Sequence, residues 1–188
     1  MLTLAFETSA KAASVALMDG GKLLGESYQN TGLTHSQTLM VMAEDLLKTC
    51  GKTAQQVEAV AVAAGPGSFT GVRIGVAAAK GFAWGAEIPC YGVSTLEAMA
   101  LSLGVWDGYV VPTMDARRNQ TYTAVFRAEK GNLTRLEEDM ALTGKIDKCC
   151  QLISFQDILI FFFVNRRICG LITVFSVFVV HTMATLDG

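Results

Sequence analysis

Gly65-Pro66-Gly67-Ser68-Phe69-Thr70-Gly71 is the stretch on which the fold turns. Before it runs Val57–Ala64, almost uninterrupted in its apolar character, which is the pattern of a central strand buried on both faces. After it the spacing predicts a helix from about Val72 to Trp84. Three glycines, with Ser68 and Thr70 just ahead of a helix N-terminus, suit a turn whose N–H groups cradle an anion. The same residues equally suit a tight turn that lets the helix pack closely. The P-loop lysine is absent, and so is the glycine order of a dinucleotide fold. Within the helix, Gly71, Gly75 and Ala79 recur every four residues, and so do Ala77, Gly81 and Gly85. Glycine weakens a helix interior by about 1 kcal/mol per site. Repeated glycines therefore imply that another backbone approaches very closely. Arg73 and Lys80 fall on one side of this helix with Trp84 nearby.

Upstream, Leu2–Phe6 reads as a short strand ending at Glu7-Thr8-Ser9. Ala13–Met18 is a second strand, Asp19-Gly20-Gly21 a hairpin signal, and Lys22–Tyr28 the returning third. Thr34 and Gln37 have capping-box spacing and open a helix that ends before Gly51. Its apolar face carries Leu39, Met42, Leu46 and Leu47, either as core or as a partner surface. Downstream, a strand at Cys90–Val93 leads to Ser94-Thr95-Leu96-Glu97, a second capping-box pattern, and a helix through Leu103. The order is βββαβαβα. A new strand, Tyr109–Met114, then ends at Asp115-Ala116-Arg117-Arg118 and is followed by strands over Gln120–Phe126 and near Asn132–Glu137. The second half thus begins to repeat the first, as two duplicated RNase H-like lobes would. Glu7 and Asp115, at equivalent strand ends, are placed to flank a cleft and hold a metal or water near phosphates. Both also suit the plainer role of solvated strand-end carboxylates.

The charge balance of -2 and a pI near 5.7 exclude a strongly basic nucleic-acid scaffold. An apolar share of 51% excludes disorder. Cys50 and Cys90 stand singly, and the adjacent pair Cys149-Cys150 lacks zinc-site spacing, which fits a reducing, cytoplasmic compartment. His35 is the sole histidine before residue 145, so neither a metal centre nor a nucleophile–base pair is expected. Met1 leads directly into a strand pattern with no signal-peptide layout. From Lys145 onward the composition changes: no proline, and six of the ten phenylalanines. Two apolar runs, Ile158–Val164 and Ile168–Val180, flank Asn165-Arg166-Arg167, and neither alone has bilayer-spanning length. A membrane span is therefore not expected. Three domains result: 1–104 as the first lobe, 105–144 as the start of the second, and 145–188 as an atypical apolar tail.

The run Gly65–Gly75, followed by Ala79-Lys80-Gly81, resembles the TsaB (YeaZ) family of bacterial tRNA threonylcarbamoyladenosine biosynthesis. Glu7-Thr8-Ser9 before Ser14-Val15-Ala16-Leu17, His35-Ser36, Gly92–Ala98, and Asp115–Arg118 before Tyr122 occur in the family's order and spacing. The resemblance covers about residues 1–144. It implies an actin-like ATPase (ASKHA) fold of two lobes, here with the second incomplete, and a subunit that is not itself catalytic. The implied role is to dimerise with and activate a TsaD-like catalytic subunit, joined by a TsaE-like small ATPase. That complex adds threonylcarbamoyl to N6 of the adenosine next to the anticodon in tRNAs reading A-starting codons, so tRNA is met through the complex. Carried onto this chain, the partner interface is His35, Leu39, Met42 and Leu46 on one helix and Arg73, Gly75, Ala79 and Lys80 on the other. A nucleotide site would use Glu7, Thr8, Ser9, Gly65, Gly67, Ser68 and Asp115, with no obligatory cofactor and room only for weak ATP or ADP binding. The resemblance also allows a homodimer.

Two departures stand out. Position 7 is Glu where the family more often has Asp, and the apolar tail replaces the rest of the second lobe, as a frameshifted or truncated gene product would have it. The competing functional reading is an ATP-dependent kinase or hydrolase of the same superfamily acting through Glu7 and Asp115.

Overall fold

The computed structural model describes residues 1–103 and 107–143, together with a strand at 158–163. Cys149, Cys150, Cys169, the run Ile168–Val180 and the rest of the tail beyond that strand lie outside the described residues. Two compact units are present, one built on Met1–Thr95 and the other on Leu96–Ile168. The division falls at Thr95, where the sequence reading placed it at 104. A helix at Thr95–Leu101 (α3) is tied to the second unit through Glu97, whose carboxylate accepts from Arg135 at 2.7 Å.

In the first unit, β1 (Leu2–Glu7), β2 (Ala13–Asp19) and β3 (Lys22–Gln29) form an antiparallel meander. Gly20 and Gly21 close the β2–β3 hairpin with φ of 53° and 84°, the left-handed pair that a two-residue turn demands. Helix α1 (His35–Thr49) follows, then β4 (Ala59–Gly65), α2 (Phe69–Ala86) and β5 (Cys90–Ser94). The sheet order is β3-β2-β1-β4-β5, with β4 parallel to both β1 and β5. Leu4, Phe6, Val15, Leu17, Val60 and Val62 of the sheet form one apolar cluster with Leu39, Met42, Leu46 and Leu47 of α1 and Ala79 and Ala83 of α2.

Burial in that cluster corrects part of the expected interface. Leu39, Met42 and Leu46 are buried against the chain's own sheet, and Ala79 and Gly75 are buried on the inner side of α2. A helical period finds an apolar face but does not say whose surface covers it, and here a five-stranded sheet does. The capping box at Thr34–Gln37 is also absent. Thr34 offers no side-chain cap, and the Gln37 N–H donates instead to the Thr34 carbonyl at 3.0 Å. The reciprocal side-chain bond occurs at Thr53, whose N–H donates to Gln56 Oε1 at 2.8 Å ahead of β4.

The second unit repeats the strand logic of the first. The strands β6 (Gly108–Arg117), β7 (Gln120–Glu129) and β8 (Asn132–Thr143) are antiparallel neighbours, and β9 (Ile158–Phe163) lies parallel to β6. Its order, β8-β7-β6-β9, matches β3-β2-β1-β4 element for element. The first apolar run of the tail thus supplies the strand equivalent to β4. This duplicated arrangement is the two-lobed actin-like ATPase fold, whose lobes are RNase H-like.

Candidate functional site

In the first unit, the ends of β1 and β4 bring together residues about 60 positions apart. Where β1 ends, the chain turns through Thr8 and Ser9, and where β4 ends, the glycine turn leads into α2. The two turns are bonded to each other. The Ser68 N–H donates to the Ser9 carbonyl at 2.6 Å, and Thr8 Oγ1 donates to the Gly71 carbonyl at 2.8 Å. Ser68 then caps α2, its Oγ accepting from the Gly71 N–H at 3.3 Å.

The glycines make this closeness achievable. A Cβ on Gly67 would sit 2.6 Å from the Ser9 Cβ, and one on Gly71 or Gly75 would overlap the Thr8 carbonyl oxygen or hydroxyl. No side chain fits at these three positions. The backbone that the glycine helix was expected to meet is therefore the chain's own β1 turn.

Glu7 lies beneath this junction, 2% exposed, with one carboxylate oxygen accepting from the Ser9 N–H and the other, Oε2, without a hydrogen-bond partner among the described residues. Burial outweighs the bonds from Ser9 and pushes its carboxyl up to about 7. His35, at the start of α1, places Nε2 3.1 Å from the Ala10 carbonyl oxygen on the same β1–β2 turn.

Of the residues expected around a nucleotide, the structure assembles Glu7, Thr8, Ser9, Gly67 and Ser68, with Gly65 at the end of β4. Asp115 belongs to the second unit, where it is exposed and its Oδ1 accepts from the Arg117 N–H at 2.7 Å. That bond steadies a β6–β7 turn in which Arg117, Arg118 and Asn119 all have positive φ. The glycine turn spends two of its own N–H donors on Ser9 and Ser68, so the donors an anion would use are partly engaged within the fold.

Among the described residues, nothing covers the opposite side of α2: Gly81 and Gly85 have no atom within 4 Å of an added Cβ, and Arg73, Ala77 and Lys80 are exposed on the same side. Phe69 and Trp84 are 75% and 86% exposed, and the Arg73 guanidinium stacks over the Phe69 ring at 4.8 Å. Met40 and Val41 are the exposed apolar residues of α1. Sequence reasoning chose Gly75 and Ala79 for the surface and passed over Phe69, Met40 and Val41. The available signal was their place in the helical period: 40 and 41 fall between the core positions 39, 42 and 43, so they must face outward.

Comparison with known proteins agrees with this geometry. Residues 29–157 match the sequence model of the family described as TsaD: tRNA N6-adenosine threonylcarbamoyltransferase. The tRNA threonylcarbamoyladenosine biosynthesis protein TsaB of Bacillus subtilis is 37% identical over 139 residues, covering 74% of this chain and 61% of that protein. Its Escherichia coli counterpart is 38% identical over 146 residues, covering 76% and 62%. The chain thus spans about three fifths of the length of these curated relatives. The crystal structure of YeaZ from Pseudomonas aeruginosa superposes with a TM-score of 0.68 at 31% identity, covering 76% of this chain and 69% of that one. The chain belongs to the TsaB (YeaZ) family and shares the fold of the TsaD domain.

Proposed function

We propose that this protein is a non-catalytic subunit in tRNA threonylcarbamoyladenosine biosynthesis, and that it works by docking onto and activating a TsaD-like catalytic subunit. The observation that carries this reading is the outer face of α2. Trp84 is 86% exposed beside Gly81 and Gly85, where an added side chain would meet no described atom, and Phe69 is 75% exposed at the start of the same helix. Large exposed aromatics beside a flat small-residue stripe suit the close approach of another helix, because burying them contributes far more than burying polar surface. The exposed part of α1, Met40 and Val41, extends the apolar character of the unit. Within the earlier interface assignment, this reading keeps His35, Arg73 and Lys80. It replaces Leu39, Met42, Leu46, Gly75 and Ala79 by Met40, Val41, Phe69, Ala77, Gly81 and Trp84.

In this proposal a TsaE-like ATPase joins the pair, tRNA is met through the complex, and the same face supports a homodimer when the partner is missing. Nucleotide binding at Glu7, Thr8, Ser9 and the glycine turn is weak and not needed for docking. The setting is cytoplasmic. It is supported by the tRNA-linked relatives and by the finding that no helix among the described residues is long and apolar enough to cross a membrane.

Light scattering after gel filtration tests the proposal directly, with the chain alone and then mixed with TsaD. A one-to-one species is expected, weakened at least tenfold by Trp84→Ala. No change in mass on mixing, under conditions where a full-length TsaB forms the complex, overturns it.

A further inference from the structure

Among the described residues Glu7 is the one buried carboxylate at the junction, and a chain of short contacts links it to α2. Its carboxylate holds the Ser9 N–H, the Ser9 carbonyl holds the Ser68 N–H, and Ser68 caps the helix. Thr8, between Glu7 and Ser9, is wedged against Gly71 and Gly75 with no slack. A shift of the Glu7-Thr8-Ser9 turn therefore moves the first turns of α2 rather than being absorbed by them. Phe69 and Arg73, stacked on each other, ride on the outer side of those same turns.

Among the described residues, the groups next to Glu7 along the chain and across the sheet are neutral. Ser14 of β2 is its register partner across the sheet. Ala63 and Gly65 stand at the neighbouring end of β4, and Ser9 is the group whose bonds reach its carboxylate. Lys11 on the same turn is exposed, and the His35 ring is turned to the Ala10 carbonyl. A neutral carboxylic acid costs less to bury in such a setting than its anion. The anion leaves Oε2 buried with no donor among the described residues, a cost that favours any movement of the turn that exposes or pairs it.

We infer that Glu7 is a proton-operated latch: its protonated form holds the β1 turn and α2 in the arrangement seen here, and its ionisation loosens the first turns of α2 and alters the face carrying Phe69 and Arg73. The consequence for docking rests on the partner reading given above. The latch itself does not. Burial that places the carboxyl near neutrality makes the device responsive within the range a bacterial cytoplasm experiences.

The test is a pH titration of the full 188-residue chain by amide NMR, following Phe69, Gly71, Arg73 and Gly75, in the native protein and in Glu7→Gln. The inference expects all four signals to titrate with one midpoint near 7 in the native protein and to be flat in Glu7→Gln. Signals that are flat in the native protein, or a midpoint that survives Glu7→Gln, overturn it. A parallel binding titration with TsaD at about pH 6 and about pH 8 is expected to show several-fold weaker binding at the higher pH for the native chain alone. Equal affinity at both pH values with titrating amides overturns the link to docking. Absence of binding at every pH contradicts the partner reading and leaves the amide result to decide the latch.

Discussion

The two sides of α2 are made of the same kind of residue and do opposite things. On the inner side, Gly71 and Gly75 are glycines because Thr8 already occupies the space a side chain would need. On the outer side, Gly81 and Gly85 meet no atom within 4 Å among the described residues, so none of those residues demands their smallness. Glycine in a helix costs stability wherever it occurs. The inner glycines offset that cost by letting α2 lock onto the end of β1. The outer ones have no such reason among the described residues, and with the exposed Trp84 between them they fit the docking face proposed above.

That contrast can be broken or sharpened by substitution. The largest expected effect concerns the apolar side of α1: Leu39→Ala removes a fully buried side chain and should cost about 2–5 kcal/mol in urea unfolding. If Leu39 were a docking residue exposed in the free protein, the loss would be small. Next is the pH profile. The folded-state carboxyl of Glu7 lies near 7 against an ordinary 4.5, so folding favours its protonated form. Stability from this group is fully present below about 4.5, declines as pH rises toward 7 and is absent above it, by on the order of 3 kcal/mol. Glu7→Gln should abolish that decline, which denaturant midpoints measured across the range would show. Gly71→Ala follows, with an expected loss of about 1–3 kcal/mol from overpacking against Thr8. The smallest effect has the opposite sign: Gly81→Ala should gain about 0.5–1 kcal/mol, since the added methyl meets nothing and improves the helix.

Local features of the fold were readable where neighbours in sequence are neighbours in space. The β2–β3 hairpin is announced by Asp19-Gly20-Gly21, and α1 and α2 by their apolar period. The repeat of three strands in the second half anticipated the matching sheet orders. Long-range features were not readable. Both glycine stripes of α2 have the same spacing, and only Thr8, 63 residues before Gly71, decides which one faces inward. Thr34 and Gln37 have the letters of a capping box, but the backbone there closes its own turn first. The site around Glu7 was half legible. Its residues were named from motif and strand end, yet the mutual bonding of the two turns, which engages the donors offered to an anion, depends on a parallel β1–β4 pairing that no local pattern encodes.

In the function proposed here, the outer side of α2 is kept small for a partner and not for the fold. Gly81→Leu tests it most directly, with stability and TsaD binding measured on the same preparation. The expected result is a chain at least as stable as the native one whose affinity for TsaD falls tenfold or more. A stable Gly81→Leu chain that binds TsaD with native affinity would contradict the claim.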